Sequence, residues 1–132
     1  MSFRLPKFPL LTIFHNPTSE TSSQALKLLR QASVNYQFDI DIVDAKTKPT
    51  HQQVSNIISY LGKGSDAKGC SEILTTDAPK ASTVAEVQKI LDANPGYMKR
   101  PLVVDWNKGK AIVAVPPSKV SEIVKDVGET EK

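Results

Sequence analysis

Residues 9–31, PLLTIFHNPTSETSSQALKLLRQ, constrain this chain more than any other stretch. Leu10, Leu11, Ile13 and Phe14 form an apolar run of strand length. Asn16-Pro17 stops it, because proline cannot donate to a sheet ladder and the pair favours a turn. The strand therefore ends near His15. Thr21-x-x-Gln24 then has the form of a capping box, in which the threonine hydroxyl accepts a bond from an otherwise orphan helix amide. Ala25, Leu26, Leu28, Leu29 and Ala32 follow at helical spacing. A strand that feeds a capped helix leaves backbone N–H groups pointing into the joining loop, where the helix dipole favours an anion, a thiolate or an oxyanion. Thr18, Ser19 and Glu20 occupy that loop.

Further along, Tyr36, Phe38, Ile40 and Ile42 alternate with Gln37, Asp39 and Asp41, the period of a half-buried strand. A helix separates it from the first strand, as in a parallel crossover unit. Thr50-x-x-Gln53 opens a second capping box ahead of Val54, Ile57, Ile58 and Leu61, and Gly62 ends that helix. Residues 62–81 are rich in Gly, Lys, Ser, Asp and Thr and read as a long loop carrying Cys70. Thr83-x-x-Glu86 caps a third helix containing Val84, Val87, Ile90 and Leu91, which Asn94-Pro95-Gly96 ends. Leu102 to Val104 and Ala111 to Val115 form a hairpin across the Asn107–Lys110 turn. Ser118 is a candidate cap for a last helix with Val120, Ile123, Val124 and Val127 on one stripe. Four strands in the order 2-1-3-4, the first two parallel and the last two antiparallel, with helices on both faces, satisfy every apolar stripe. The expected fold class is α/β and thioredoxin-like.

At 132 residues the chain suits one domain, residues 10–127, between a basic lead-in at 1–9 and a frayed tail at 128–132. The formal charge of +3 is spread along the chain, so no nucleic-acid partner is expected. No run approaches the ~20 apolar residues of a membrane span, so no membrane partner is expected either. One cysteine excludes an intramolecular disulfide framework and a cysteine-cluster zinc site, and His15 and His51 add little metal-binding capacity. No metal is expected, and a reducing compartment is the natural setting. The first nineteen residues hold Arg4 and Lys7 and no acid, a faint organelle import signal. The alternative is a cytoplasmic protein with a basic lead-in to its first strand.

Thr12 to Ser22, followed by a Leu-rich helix, resembles the opening of the glutaredoxin-linked arsenate reductases and their relatives, the Spx-type regulators. Arg100-Pro101-Leu-Val-Val is similar to the Arg-Pro strand start of the same family, where the proline is cis and borders the active site. With Val104-Asp105-Trp106 included, residues 9–127 look most like a small group of fungal mitochondrial redox proteins. The resemblance implies a mitochondrial thiol oxidoreductase that reduces small toxic molecules, with no bound cofactor and with glutathione as reductant. The family nucleophile, however, is a cysteine where this chain has Ser19. The fungal group's proposed cysteine lies in the helix before the hairpin, and Thr83 to Leu91 contains none; Ile90 is the nearest position in its pattern.

Cys70 is therefore the remaining candidate for thiol catalysis, with Lys63 and Lys68 near it in sequence to favour a thiolate. Asn16, Ser19, Thr21, Arg100 and Pro101 are the candidate substrate-binding residues, and Arg100 could hold an oxyanion or a glutathione carboxylate in its bidentate fork, or pair with Asp105. His15 and Ser19 could form a base and a nucleophile, although helix capping by Ser19 and Thr21 is the simpler reading. His51 should face solvent, and Trp106 should anchor the core or the hairpin. The expected partner is a small molecule or a thiol, with no oligomeric state assigned. The competing expectation is a non-catalytic thioredoxin-fold binding or adaptor module, because Ser19 cannot replace the missing thiol.

Overall fold

A computed structural model describes residues 9–127. Residues 1–8 of the basic lead-in and the tail from 128 onward lie outside the described residues. Strands β1 (Leu10–His15), β2 (Asp39–Asp44), β3 (Leu102–Asp105) and β4 (Lys110–Val113) form one sheet in the order β2-β1-β3-β4. β1 runs parallel to β2, and β3 is antiparallel to both β1 and β4. This is the thioredoxin-like order expected from the pattern.

The pleat of β1 explains the two-sided core. Leu11 and Ile13 point to one face, where α1 (Glu20–Tyr36), the 3-10 turn Pro117–Val120 and α5 (Ser121–Val127) supply Ala25, Leu29, Val120 and Ile123. Phe14 points to the other, where α2 (His51–Gly62), α3 (Asp66–Ile73) and α4 (Val84–Ala93) supply Ile57, Ile58, Ile73, Val87 and Leu91. Thr12 is a polar residue on that second face, and its hydroxyl is used: it accepts the Trp106 Nε1–H at 2.8 Å. The Trp106 ring also meets Tyr60 edge-on with centroids 6.2 Å apart, so it anchors the hairpin to α2.

Both the Thr50/Gln53 and Thr83/Glu86 capping boxes form as read. Several local expectations are corrected. Thr21 is not the cap of α1; Ser19 is, because the Asn16–Ser19 turn brings its hydroxyl to the Ser22 amide at 3.2 Å, two residues earlier than the sequence pattern implied. Tyr36 belongs to α1 and not to the second strand, because the left-handed Gln37 (φ 57°) breaks the alternation before Phe38. β4 stops at Val113, short of Val115. Ser118 lies inside the 3-10 turn at Pro117–Val120, which no side chain caps among the described residues.

The largest difference is residues 62–81, read as a loop and found to contain α3. Ser65 caps it, accepting the Lys68 amide at 3.3 Å. Two glycines, which read in sequence as helix breakers, let the backbones of α2 and α3 touch. A Cβ on Gly69 would stand 2.1 Å from the Ile58 carbonyl oxygen, and one on Gly62 would stand 2.9 Å from the Gly69 nitrogen. Proximity of backbones replaces the long apolar stripe that usually announces a helix.

Candidate functional site

One end of the sheet gathers most of the residues singled out in sequence. The C-terminal end of β1, the N-terminus of α1, the end of β2 and the start of β3 meet there. The register pairs His15 with Asp44 and Phe14 with Leu102, so Arg100-Pro101 lies across from the β1–α1 turn. The Arg100–Pro101 peptide bond is cis, and Pro101 is buried.

The turn is built by its own polar side chains. Asn16 Oδ1 accepts from the Thr18 backbone amide (3.1 Å) and hydroxyl (2.8 Å), and the Ser19 amide closes back on the Asn16 carbonyl at 3.0 Å. Ser22 is fully buried; its Oγ accepts the Asn16 amide at 2.9 Å and lies 2.7 Å from His15 Nδ1. Burial holds the His15 pKa below its ordinary value, partly offset by Asp44 and reinforced by Arg30. Neutral His15 can accept the Ser22 hydroxyl proton at Nδ1. The pairing of His15 with Ser19 read from sequence is therefore not the one formed. Its actual partner, Ser22, is a sealed hydroxyl that fixes the turn, not a nucleophile open to substrate. With Ser19 spent on Ser22, the Glu20 and Thr21 amides remain as the helix donors that have no intrahelical acceptor.

Arg100 is the cation of the site. Its Nη1 donates to the Pro95 and Met98 carbonyls at 2.9 and 3.1 Å, while Nε and Nη2 are buried without a hydrogen-bond partner among the described residues. Burial pushes its pKa down and Asp44 pulls it back up, so arginine and carboxylate share this end of the sheet. The suggested pairing with Asp105 is not formed: Asp105 is buried and its Oδ1 accepts the Asn107 and Lys108 amides of the hairpin turn. His51 lies away from the site, exposed and 2.9 Å from Asp92.

Cys70 stands apart from this cluster. It sits on α3 with 0% exposure, in the core shared with α2 and α4, the helices α3 principally packs against. Burial raises its thiol pKa, and Asp66 and Glu86 add to the rise. The expectation that Lys63 and Lys68 would favour a thiolate is corrected: both lysines are exposed, and the charges that act on the sulfur are acidic. Among the described residues no group of three or more His, Cys, Asp or Glu side chains could hold a metal ion.

Two members of the site were not named from sequence. Ser22 looked like one more polar residue of the first helical turn, and Asp44 becomes visible only through the parallel register that sets it beside His15.

A family model described as "Protein of unknown function (DUF1687)" matches residues 3–114. The chain belongs to that family. No curated protein matches the sequence of this DUF1687 member. Its structure is similar to that of an arsenate reductase from Vibrio cholerae, with a TM-score of 0.69 and 20% sequence identity over 89% of this chain and 99% of that chain. At that identity the likeness shows a shared fold, and it extends over almost all of the reductase.

Proposed function

We propose that this protein is a mitochondrial, redox-type thioredoxin-fold protein that binds a small thiol ligand, glutathione above all, at the β1–α1 turn and Arg100, and holds it without a nucleophilic cysteine there. The carrying observation is the unpaired edge of the Arg100 guanidinium, whose Nε and Nη2 are buried and meet a ligand only when the turn beside them opens. Nε and Nη2 form the side of the fork that takes a carboxylate through two parallel bonds, and a buried guanidinium edge left unpaired is costly. Asp44 refines the choice of ligand. A simple oxyanion gains Arg100 and the α1 dipole but meets the Asp44 charge, whereas the amino-acid head of glutathione offers a carboxylate to Arg100 and an ammonium to Asp44. The mitochondrial part rests on the basic, acid-free first nineteen residues and on the resemblance to the fungal group.

Calorimetric titration tests the binding. Glutathione should give a saturable 1:1 isotherm, weakened about tenfold or more in Arg100→Gln, and Asp44→Asn should lose the preference for glutathione over phosphate. Equal binding by wild type and both variants, or no glutathione binding, refutes it. Import of an N-terminal fusion into isolated mitochondria tests the location.

A second reading, a thiol oxidoreductase that reduces small toxic molecules with glutathione as reductant, is favoured by one observation. Cys70 borders a depression of about 400 Å3, together with Lys99 and Thr75, whose buried hydroxyl has no partner among the described residues. That chemistry requires α3 or the segment after it to open, because a buried thiol of raised pKa is a weak nucleophile at neutral pH. Alkylation of Cys70 at pH 7 in the folded protein, at the rate of a free thiol, would favour this reading over the first.

A further inference from the structure

The outer edge of β4 lies in a groove of about 620 Å3, walled by Tyr60 and Leu61 of α2 together with α3 on one side and by Ile123 of α5 on the other. Among the described residues β4 pairs with β3 alone. The Ala114 amide donates to the Pro101 carbonyl at 2.9 Å, which makes Pro101 and Ala114 a hydrogen-bonded pair in the same register as Val103↔Ile112 and Asp105↔Lys110. Ala111 and Val113 therefore turn their backbone groups away from β3, toward the groove. The Val113 carbonyl is taken by the Val115 amide at 2.9 Å. Among the described residues that leaves the Ala111 N–H and C=O and the Val113 N–H as an unpaired strand edge.

The charge around this edge comes from separate elements. Lys63 follows α2, Lys68 is on α3, Lys108 is in the hairpin turn and Lys119 is in the turn before α5, and none of the four forms an ion pair among the described residues. Glu72 and Glu122 also line the groove. A lysine on an edge strand itself deters pairing with other chains. Lys110 is itself the first residue of β4 and lines the groove, which disfavours an uncharged or basic strand, whereas the four cations that stand around the strand attract an acidic one.

We propose that this groove binds an extended acidic peptide segment of a partner protein, which adds to β4 as an antiparallel or parallel fifth strand with its carboxylates on the surrounding lysines. The groove is separate from Arg100 and the β1–α1 turn, and binding there does not depend on the ligand proposed at Arg100.

The test is fluorescence anisotropy with a labelled peptide that alternates valine or threonine with glutamate, titrated with the full-length protein. Saturable binding that weakens with salt is expected. N-methylating the peptide amides that face β4 should weaken it about tenfold or more, as should the Lys63→Glu/Lys119→Glu double variant. Ala111→Pro supplies a second variant, since it removes one outward N–H from an edge position that tolerates proline. Circular dichroism confirms that each variant is folded. No binding, equal binding of the N-methylated peptide, or equally tight binding of an oligothymidylate of the same charge overturns the proposal. So does a mass that rises with protein concentration in step with loss of peptide binding, because the acidic β2 edge of a second copy would then be the occupant.

Discussion

Gly69→Ala tests the packing that seals Cys70. The new methyl group would stand 2.1 Å from the Ile58 carbonyl oxygen and 2.8 Å from the Ile58 carbonyl carbon, both backbone atoms inside α2. Neither can rotate away, so α3 must shift by roughly 1.3 Å to restore an ordinary contact of 3.4 Å. Overpacking of this kind costs about 3 kcal/mol at the upper end of its usual range. Alanine in place of glycine returns about 1 kcal/mol of helix propensity, which leaves a net loss of about 2 kcal/mol. Urea unfolding monitored by circular dichroism reads that loss as a lower midpoint at unchanged slope. The same displacement loosens the seat of the neighbouring Cys70. Its reaction with an aromatic disulfide reagent under native conditions should therefore be faster than in wild type. A variant as stable as wild type, with Cys70 no more reactive, refutes the account of how α2 and α3 pack.

Other expected outcomes concern the β1–α1 turn. Ser19→Cys in a Cys70→Ala background places a thiol at the head of α1, where the dipole and the Ser22 amide favour a thiolate; its pKa should fall below the free value of about 8.5. Its alkylation at pH 7 should exceed that of wild-type Cys70 at least about tenfold, and the reactivity of an unperturbed thiol would contradict the geometry. Ser22→Ala removes the acceptor of the Asn16 amide and the partner of His15, and should cost about 1–3 kcal/mol in urea unfolding. His15 adds a pH dependence of known sign. Its folded pKa is below the ordinary 6.5, so the unfolded chain binds more protons between the two values and stability falls as pH drops through 6.5 toward the folded value. His15→Asn should flatten that part of the unfolding profile.

The fold was legible because its elements carry period and punctuation. The apolar run of β1, the capping boxes of α2 and α4 and the hairpin around Asn107–Lys110 each have a local cause that survives folding. α3 was not legible, because its evidence is non-local: Gly69 is a helix breaker by propensity and a helix contact only when α2 lies against it. Tyr36 failed for a related reason, since a single left-handed residue resets the phase of an otherwise regular alternation.

The site divides in the same way. Asn16, Ser19, Arg100 and Pro101 were readable from a turn motif and a resemblance, and they meet at one end of the sheet. Thr21 was misplaced by two residues, because the turn at Asn16 starts α1 at Glu20 and gives the capping position to Ser19, whose hydroxyl takes the Ser22 amide. Ser22 and Asp44 acquire their meaning from register and burial, which no local pattern encodes. Cys70 was read as a loop residue from the composition of the segment around it. In the fold it serves as a small apolar side chain beneath two helices.

We propose the Arg100 fork, and not a thiol, as the working group at this end of the sheet. Its most direct test is the Arg100 Nε–H resonance, followed by 15N-edited NMR as glutathione is added to the wild-type protein. A single saturable shift of that resonance, with the amides of Glu20 and Thr21 moving in parallel and those around Cys70 unchanged, is the predicted result. A silent Arg100 resonance, with the shifts gathered instead on α3 around Cys70, would contradict the account.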